Sequence, residues 1–338
     1  MNRSAARLHC MWLRRTAWLV FVAGCSRTEP DVVVYCSVDE TFARSIISEF
    51  EAGSDIEVGL LTDSEAGKTT GLLTRIRAEK NAPRADLLFS GEIFGTIQLA
   101  NEGLLAPYES PASADIPSQF RDAKNRWTAI GLRGRVLVFD PRRGSADAFP
   151  KRWEDLAEAP WVSRGAIANP LFGTTRGHVA AMYSHWGTER AEAFLRKLRA
   201  GGCLITDGNS SAVRAVLDGR ADWCATDTDD VWVAQKDGAS IDLIYPDMGH
   251  GDTLWIPSTV ALIANGRQPA NARRLADFLI SAEVERILAE SESRNVPVRP
   301  ELRRLMNIDH RFTSDIDYAD IAAHLDESDR AVREILLR

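Results

Sequence analysis

The sequence predicts an α/β protein of two lobes, each an open sheet flanked by helices. Three observations carry this reading. Short apolar runs alternate with segments of helical period, as in buried parallel strands joined by helical crossovers. The alternation restarts after Trp127, following a stretch (106–125) rich in Pro, Ser and Asp. The chain of 338 residues also exceeds the roughly 250–300 residues at which single cores stop growing.

The elements follow in order. Val32–Tyr35 is a continuous apolar run, the pattern of a strand buried on both faces. A helix carries Phe42, Ile46, Ile47 and Phe50 on one face and stops at Gly53. Ile56–Leu61 is the second strand; Asp63 and Ser64 can cap a helix running to about Lys80. Ala85–Phe89 is the third strand, and Ser90-Gly91-Glu92 opens a helix that Gly103 ends. In the second run, Thr128–Gly131 and Val136–Phe139 read as two strands leaving the first lobe, and Asp140–Gly144 as a turn. Strands at 165–168, 203–206, 223–226 and 241–245 then alternate with helices ending near Trp186, Leu198, Leu217 and Gln235. Leu254–Ala264 returns to the core, helices follow at 269–280 and 283–291, and a charged helical tail ends the chain.

Residues 1–15 hold Arg3, Arg7, Arg14 and Arg15 and no acid; 16–23 are almost wholly apolar, and Gly24-Cys25 follows. That is a secretory signal, its apolar run far below the roughly 20 residues that span a bilayer. Val22-Ala23-Gly24-Cys25 also reads as a lipobox, with 1–24 removed, Cys25 lipidated and 25–31 a polar tether. The expected place is extracytoplasmic, anchored at Cys25. Hydrophobic residues at 45% and charged residues at 26% exclude a disordered chain and a multi-span membrane protein. A net charge of −7 argues against a broad basic face for nucleic acid. Five Cys are too few for a disulfide scaffold. Cys203 and Cys224 would form a disulfide if their strands were neighbours, two free thiols being the alternative.

In open α/β sheets, ligands bind beyond the carboxyl ends of strands, where helix N-termini offer free N–H groups. Small polar and acidic residues recur at that position: Ser37/Asp39, Ser64/Gly67/Thr69, Ser90/Glu92, Asn169/Thr174/Thr175, Asn209/Ser210/Ser211 and Asp227/Thr228/Asp229. Each alone is a helix cap; two lobes facing each other would converge them on one cleft. Asp227, Asp229 and Asp230 fit a hard cation or a capping cluster equally. Nucleophile elbows, P-loops and dinucleotide fingerprints are absent. Asp39 with Glu92 is the only pair to nominate for acid–base work, and His250 the one His in a ligand-like loop.

Val32–Ser37, Ala85–Phe89, Gly103–Tyr108, Arg133–Phe139, Asn209–Val213 and Pro257–Leu262, in that order and spacing, make the chain resemble the solute-binding proteins of bacterial ABC importers, most closely the ferric-ion-binding type. The resemblance implies the type 2 periplasmic binding fold: lobe 1 from 32–133 with 249–338, lobe 2 from 134–248, and a hinge of crossing strands. It implies a monomer, not an enzyme, that closes over its ligand and delivers it to an inner-membrane permease. Fe(III) would be cargo rather than cofactor. Asp39 and Glu92 fall where that family has ligands, and Arg133 or Arg135 where it binds an anion. One departure matters: the family's paired Tyr ligands are replaced by Asp227-Thr228-Asp229-Asp230. Iron would then rest on Glu92, Asp39 and Asp229. The competing ligand is a phosphonate or phosphorylated solute held by Thr174, Thr175, Asn209, Ser210 and Thr228, with Trp127, Phe172, Trp232 or Trp255 as walls. An enzyme or a sensor on the same fold is the reading from another class.

Overall fold

The structure, a computed structural model, describes residues 29–63, 69–249, 251–308 and 316–338. The signal segment, Cys25, Ser64, Gly67 and His250 lie outside the described residues. Among those described, no helix is long and apolar enough to cross a membrane.

β1 (Val32–Cys36) is buried and runs parallel to β2 (Val58–Thr62) and β3 (Leu87–Ser90). The crossovers are α1 (Glu40–Ala52) and α2 (Thr70–Ala78), whose buried faces are Ala43, Ile46, Ile47 and Phe50, and Leu72, Leu73 and Ile76. α3 (Phe94–Asn101) leads to the short β4 (Leu105–Ala106). β5 (Thr128–Phe139) is one strand of 12 residues, buried throughout. The sequence suggested two strands here, Thr128–Gly131 and Val136–Phe139, with 132–135, including Arg133 and Arg135, between them. The strand continues because each buried guanidinium meets a carboxylate from elsewhere in the chain.

The second run comprises β6 (Gly165–Ala168), α4 (Gly173–Trp186), α5 (Thr188–Gly201), β7 (Leu204–Thr206), α6 (Asn209–Leu217), β8 (Trp223–Asp227), α7 (Thr228–Lys236) and β9 (Asp242–Ile244). β10 (Trp255–Ile263) returns to the first sheet. The strand path is β2-β1-β3-β10-β5-β8-β6-β7, with β4 on β10 and β9 on β5. β5 therefore belongs to both sheets. Its first half pairs with β10 and its second half with β8 and β9, the change falling at Gly134/Arg135. Gly131 is the extra residue of a bulge against β10; its φ of +56° suits glycine. Its N–H donates to buried Glu285 (3.1 Å).

α8 (Pro269–Leu279) and α9 (Ala282–Glu290) cover the first sheet, and α10 (Pro300–Leu305) follows. The last helices are α11 (Tyr318–Ala323) and α12 (Leu325–Ala331): α11 packs on both α3 and α4, its Tyr318 hydroxyl donating to the Trp255 carbonyl of β10 (2.8 Å), and α12 packs on α4. Charge pairing holds α12 there: Arg176 on α4 binds Asp329 on α12 at 3.0 Å, and both are mostly buried. Cys203 and Cys224 are free thiols, because β6 runs between β7 and β8. The disulfide alternative is thereby excluded in this arrangement.

Candidate functional site

The carboxyl ends of β1, β3, β6 and β8 face a polar cavity of about 40 Å³ between the two sheets. On the first side, buried Ser37 organises the wall. Its hydroxyl accepts from the Gly91 N–H (3.0 Å) and from the Thr69 hydroxyl (3.0 Å). Thr69 holds a φ of +66°, an uncommon backbone for a β-branched residue. Asp39 and Glu92 complete this wall. Both Glu92 oxygens are used on α3, accepting from Phe94 N–H at 2.6 Å and from Gly95 N–H at 3.0 and 3.2 Å. Burial nevertheless raises the Glu92 pKa, against the pull of those amides and of Arg176 and Arg133.

On the second side, Asn169, Thr174, Thr175, Asp207 and Asn209 line the cavity around Asp227, Asp229 and half-buried Asp230. Arg135 is fully buried behind them and donates to Asp227 Oδ1 (2.8 Å). Asp227 Oδ2 accepts from Thr174 Oγ1 (2.6 Å) and Asn209 Nδ2 (2.9 Å). Burial would raise the Asp227 pKa, but Arg135, Arg133 and Thr174 outweigh it and hold the carboxyl below its usual range. Asp229 is the opposite case. Burial raises its pKa and Asp227 and Asp39 add to the rise, against Arg133. Burial, Asp229 and Asp227 also raise Asp230, which accepts from the Thr226 hydroxyl (2.7 Å).

Arg133 joins the two walls. It donates to Asp229 Oδ2 (3.0 Å) and to the Gly91 carbonyl, with Asp227 at 4.0 Å. Burial works against its charge, yet Asp229 and Asp227 dominate and raise its pKa. Two buried polar atoms here have no hydrogen-bond partner, Arg133 Nε and Asp229 Oδ1. Orphaned buried atoms are rare and call for a reason.

Residues 82–321 match the family of bacterial extracellular solute-binding proteins. The chain belongs to that family. A relative from Serratia marcescens, an Fe(3+)-binding periplasmic protein, is 27% identical over 212 residues, 62% of this chain and 60% of that protein. The ferric binding protein from Campylobacter jejuni superposes with a TM-score of 0.80 at 22% identity, over 90% of this chain and 99% of its own. A periplasmic binding protein from Actinobacillus pleuropneumoniae, solved with fructose-6-phosphate bound, superposes with a TM-score of 0.75 at 21% identity, over 91% and 99%. The structural likenesses show the fold, a two-lobed periplasmic binding architecture, and the family match supports an extracytoplasmic place of work.

In this solute-binding protein the cavity gathers Ser37, Asp39, Thr69, Glu92, Arg133, Asn169, Thr174, Thr175, Asn209, Asp227 and Asp229 from the sequence-derived set. Four members of that set stand off it. Ser90 lies beneath, donating to the Glu92 carbonyl (2.8 Å). Arg135 acts from behind Asp227. The Thr228 hydroxyl accepts from the Gly134 N–H (3.2 Å), tying α7 to the hinge strand. Ser210 turns to a neighbouring groove with Val213 and Leu217. Of the suggested aromatic walls, Phe172 lines the cavity and the three Trp do not. Asp207 and Gly208 were missed, although they directly follow the strand end at Thr206, where the same rule applies.

Asp229 lies with Asp227 and Asp230, one oxygen of each falling within 4.8 Å of the others. Glu92 is engaged with its own helix. Among the described residues, no tyrosine lines the cavity. Its acids among the described residues are Asp39, Glu92, Asp207, Asp227, Asp229 and Asp230, and its lining base is Arg133.

Proposed function

We propose that the protein is the lipid-anchored receptor of an ABC importer, and that it closes its two lobes over a ferric ion for delivery to a permease. One observation carries the ligand. Asp229 Oδ1 is buried without a partner in a cavity where, among the described residues, six carboxylates face one guanidinium. Such a wall favours a hard cation, for which carboxylate oxygen is a suitable donor. Asp229 and Asp39 supply oxygens from the two sides, and Glu92 adds negative charge beside them. The relative from Serratia marcescens supports the same choice. The cavity volume supports it too: about 40 Å³ suits an ion with a few waters, each water needing roughly 10–15 Å³.

Glu92 is committed to α3, and the reading is of a protein that binds and releases rather than reacts. It acts as a monomer tethered through Cys25.

Titration of the purified protein with ferric citrate, 2-aminoethylphosphonate and fructose 6-phosphate, followed by Trp fluorescence, tests the ligand. Saturable ferric binding supports the reading. A protein that ignores iron yet responds to a phosphonate would make it a receptor for that competing class. Recovery of chemically altered ligand after long incubation would make it an enzyme. Cys25→Ala moves the protein from the membrane to the soluble fraction if the anchor is there.

A further inference from the structure

Resting on that reading of the ligand, we infer that Asp227 fills an oxyanion cradle with the protein's own carboxylate. The receptor therefore takes its cation without a free oxyanion at this place and refuses phosphorylated solutes. The cradle has the parts that bind phosphate elsewhere: helix N-termini, hydroxyl and amide donors, and a guanidinium. Thr174 belongs to the first turn of α4, Asn209 opens α6, and Asp227 is the residue before α7. Thr174 and Asn209 both donate to Asp227 Oδ2, and Arg135 donates to Oδ1.

The side-chain donors of the cradle are already turned to one another and to Asp227. Arg135 also donates to Thr174 and Thr175 (3.3 Å each) and to His178 Nδ1 (3.4 Å). The Thr175 hydroxyl donates onward to Asn209 Oδ1 (3.3 Å). His178 is itself buried, its other nitrogen against Met248 Sδ (3.3 Å). A phosphoryl group could enter only by expelling Asp227. It would then face the expelled carboxylate together with Asp229 and Asp39. Both Asp227 oxygens being engaged, Asp227 serves as resident counter-charge, and Asp229 is left as the cation donor.

Asp227→Ser vacates the cradle and leaves Arg135 seeking an anion. The test is thermal melting of the mature chain, metal-free, with inorganic phosphate or sulfate. The variant is expected to gain about 3 °C at about 10 mM phosphate for a Kd near 1 mM, while the wild type does not move. A wild type stabilised as much as the variant overturns the inference, and so does a folded variant that gains nothing. Should Asp227→Ser fail to fold, the wild type alone decides: no shift with either anion upholds the inference, and a shift of that size overturns it. No arm contains iron, so a failure of ferric binding is read separately.

Discussion

Asp229→Asn keeps the shape of the side chain and an oxygen for Arg133 Nη1, now 3.0 Å away, while removing one negative charge from the cavity. Two consequences of opposite sign follow. The first concerns the ligand. A ferric ion loses an anionic donor whose second oxygen has no other partner. The expected loss is at least tenfold, about 1.4 kcal/mol. It approaches the roughly 3–5 kcal/mol of a broken buried charge pair if Asp229 is the principal donor.

The second consequence concerns the empty protein. Burial, with Asp227 and Asp39 close by, raises the Asp229 pKa despite Arg133. An acid whose folded pKa exceeds its unfolded value holds more protons folded than unfolded between the two. Its contribution to stability is lost as pH rises through that window, so at neutral pH the wild type carries the cost. Arg133 is not stranded by the substitution, because Asp227 stays 4.0 Å away. The apo Asn variant should therefore melt at or above the wild type at pH 7, and the difference should close as pH falls towards the ordinary aspartate range, about 3.9. Ferric competition against nitrilotriacetate and melting from pH 4 to 7, a range of about three units about the linkage window, read both consequences. Undiminished ferric affinity, or an apo variant less stable than the wild type at neutral pH, would refute the reasoning.

Three further outcomes are expected. Thr175→Val leaves ferric affinity within about twofold and lowers stability by about 0.5–1.5 kcal/mol in chemical denaturation, since its hydroxyl serves Arg135 and Asn209. Gly177→Val on α4 drives a side chain into the Phe94 ring of α3; the lobes should stay apart, giving weaker ligand binding and a larger radius of gyration in X-ray scattering. Arg299→Ala strands Glu285, which is fully enclosed and paired with Arg299 at 3.0 Å, and should cost about 3–5 kcal/mol in urea unfolding without a matching change in ferric affinity.

The alternation of strands and helices was legible because burial on both faces leaves a continuous apolar run, as at Val32–Tyr35. The site was legible because short polar residues at strand ends have few other uses, as at Ser37 and Asn209. What failed was rotational phase. Asn209 and Ser210 are neighbours in sequence but point about 100° apart on a helix, so one reaches Asp227 and the other a groove. Thr228 was chosen as an anion donor, yet its hydroxyl meets a strand N–H that only the folded register places beside it. The contact of α12 with α4 was not legible for a similar reason, since the partner of Asp329 lies 153 residues earlier, at Arg176.

The reading of β5 as two strands exposes how hinge and site are linked. Arg133 and Arg135 are two apart, so on a strand they share a face. Gly134 between them is where pairing passes from one sheet to the other. Arg135 stands directly opposite Asp227 in the register of β8, so that pair travels with the second sheet whatever the lobes do. Arg133 sits on the half held by β10 and reaches Asp229 and the Gly91 carbonyl. Separation of the lobes therefore strains the Arg133–Asp229 contact and spares those of Arg135 and the bond to Gly91, which lies on the side of Arg133. One guanidinium is fixed to build the cavity, and the other reports whether the cavity is closed. A cation arriving at Asp229 competes with the second alone.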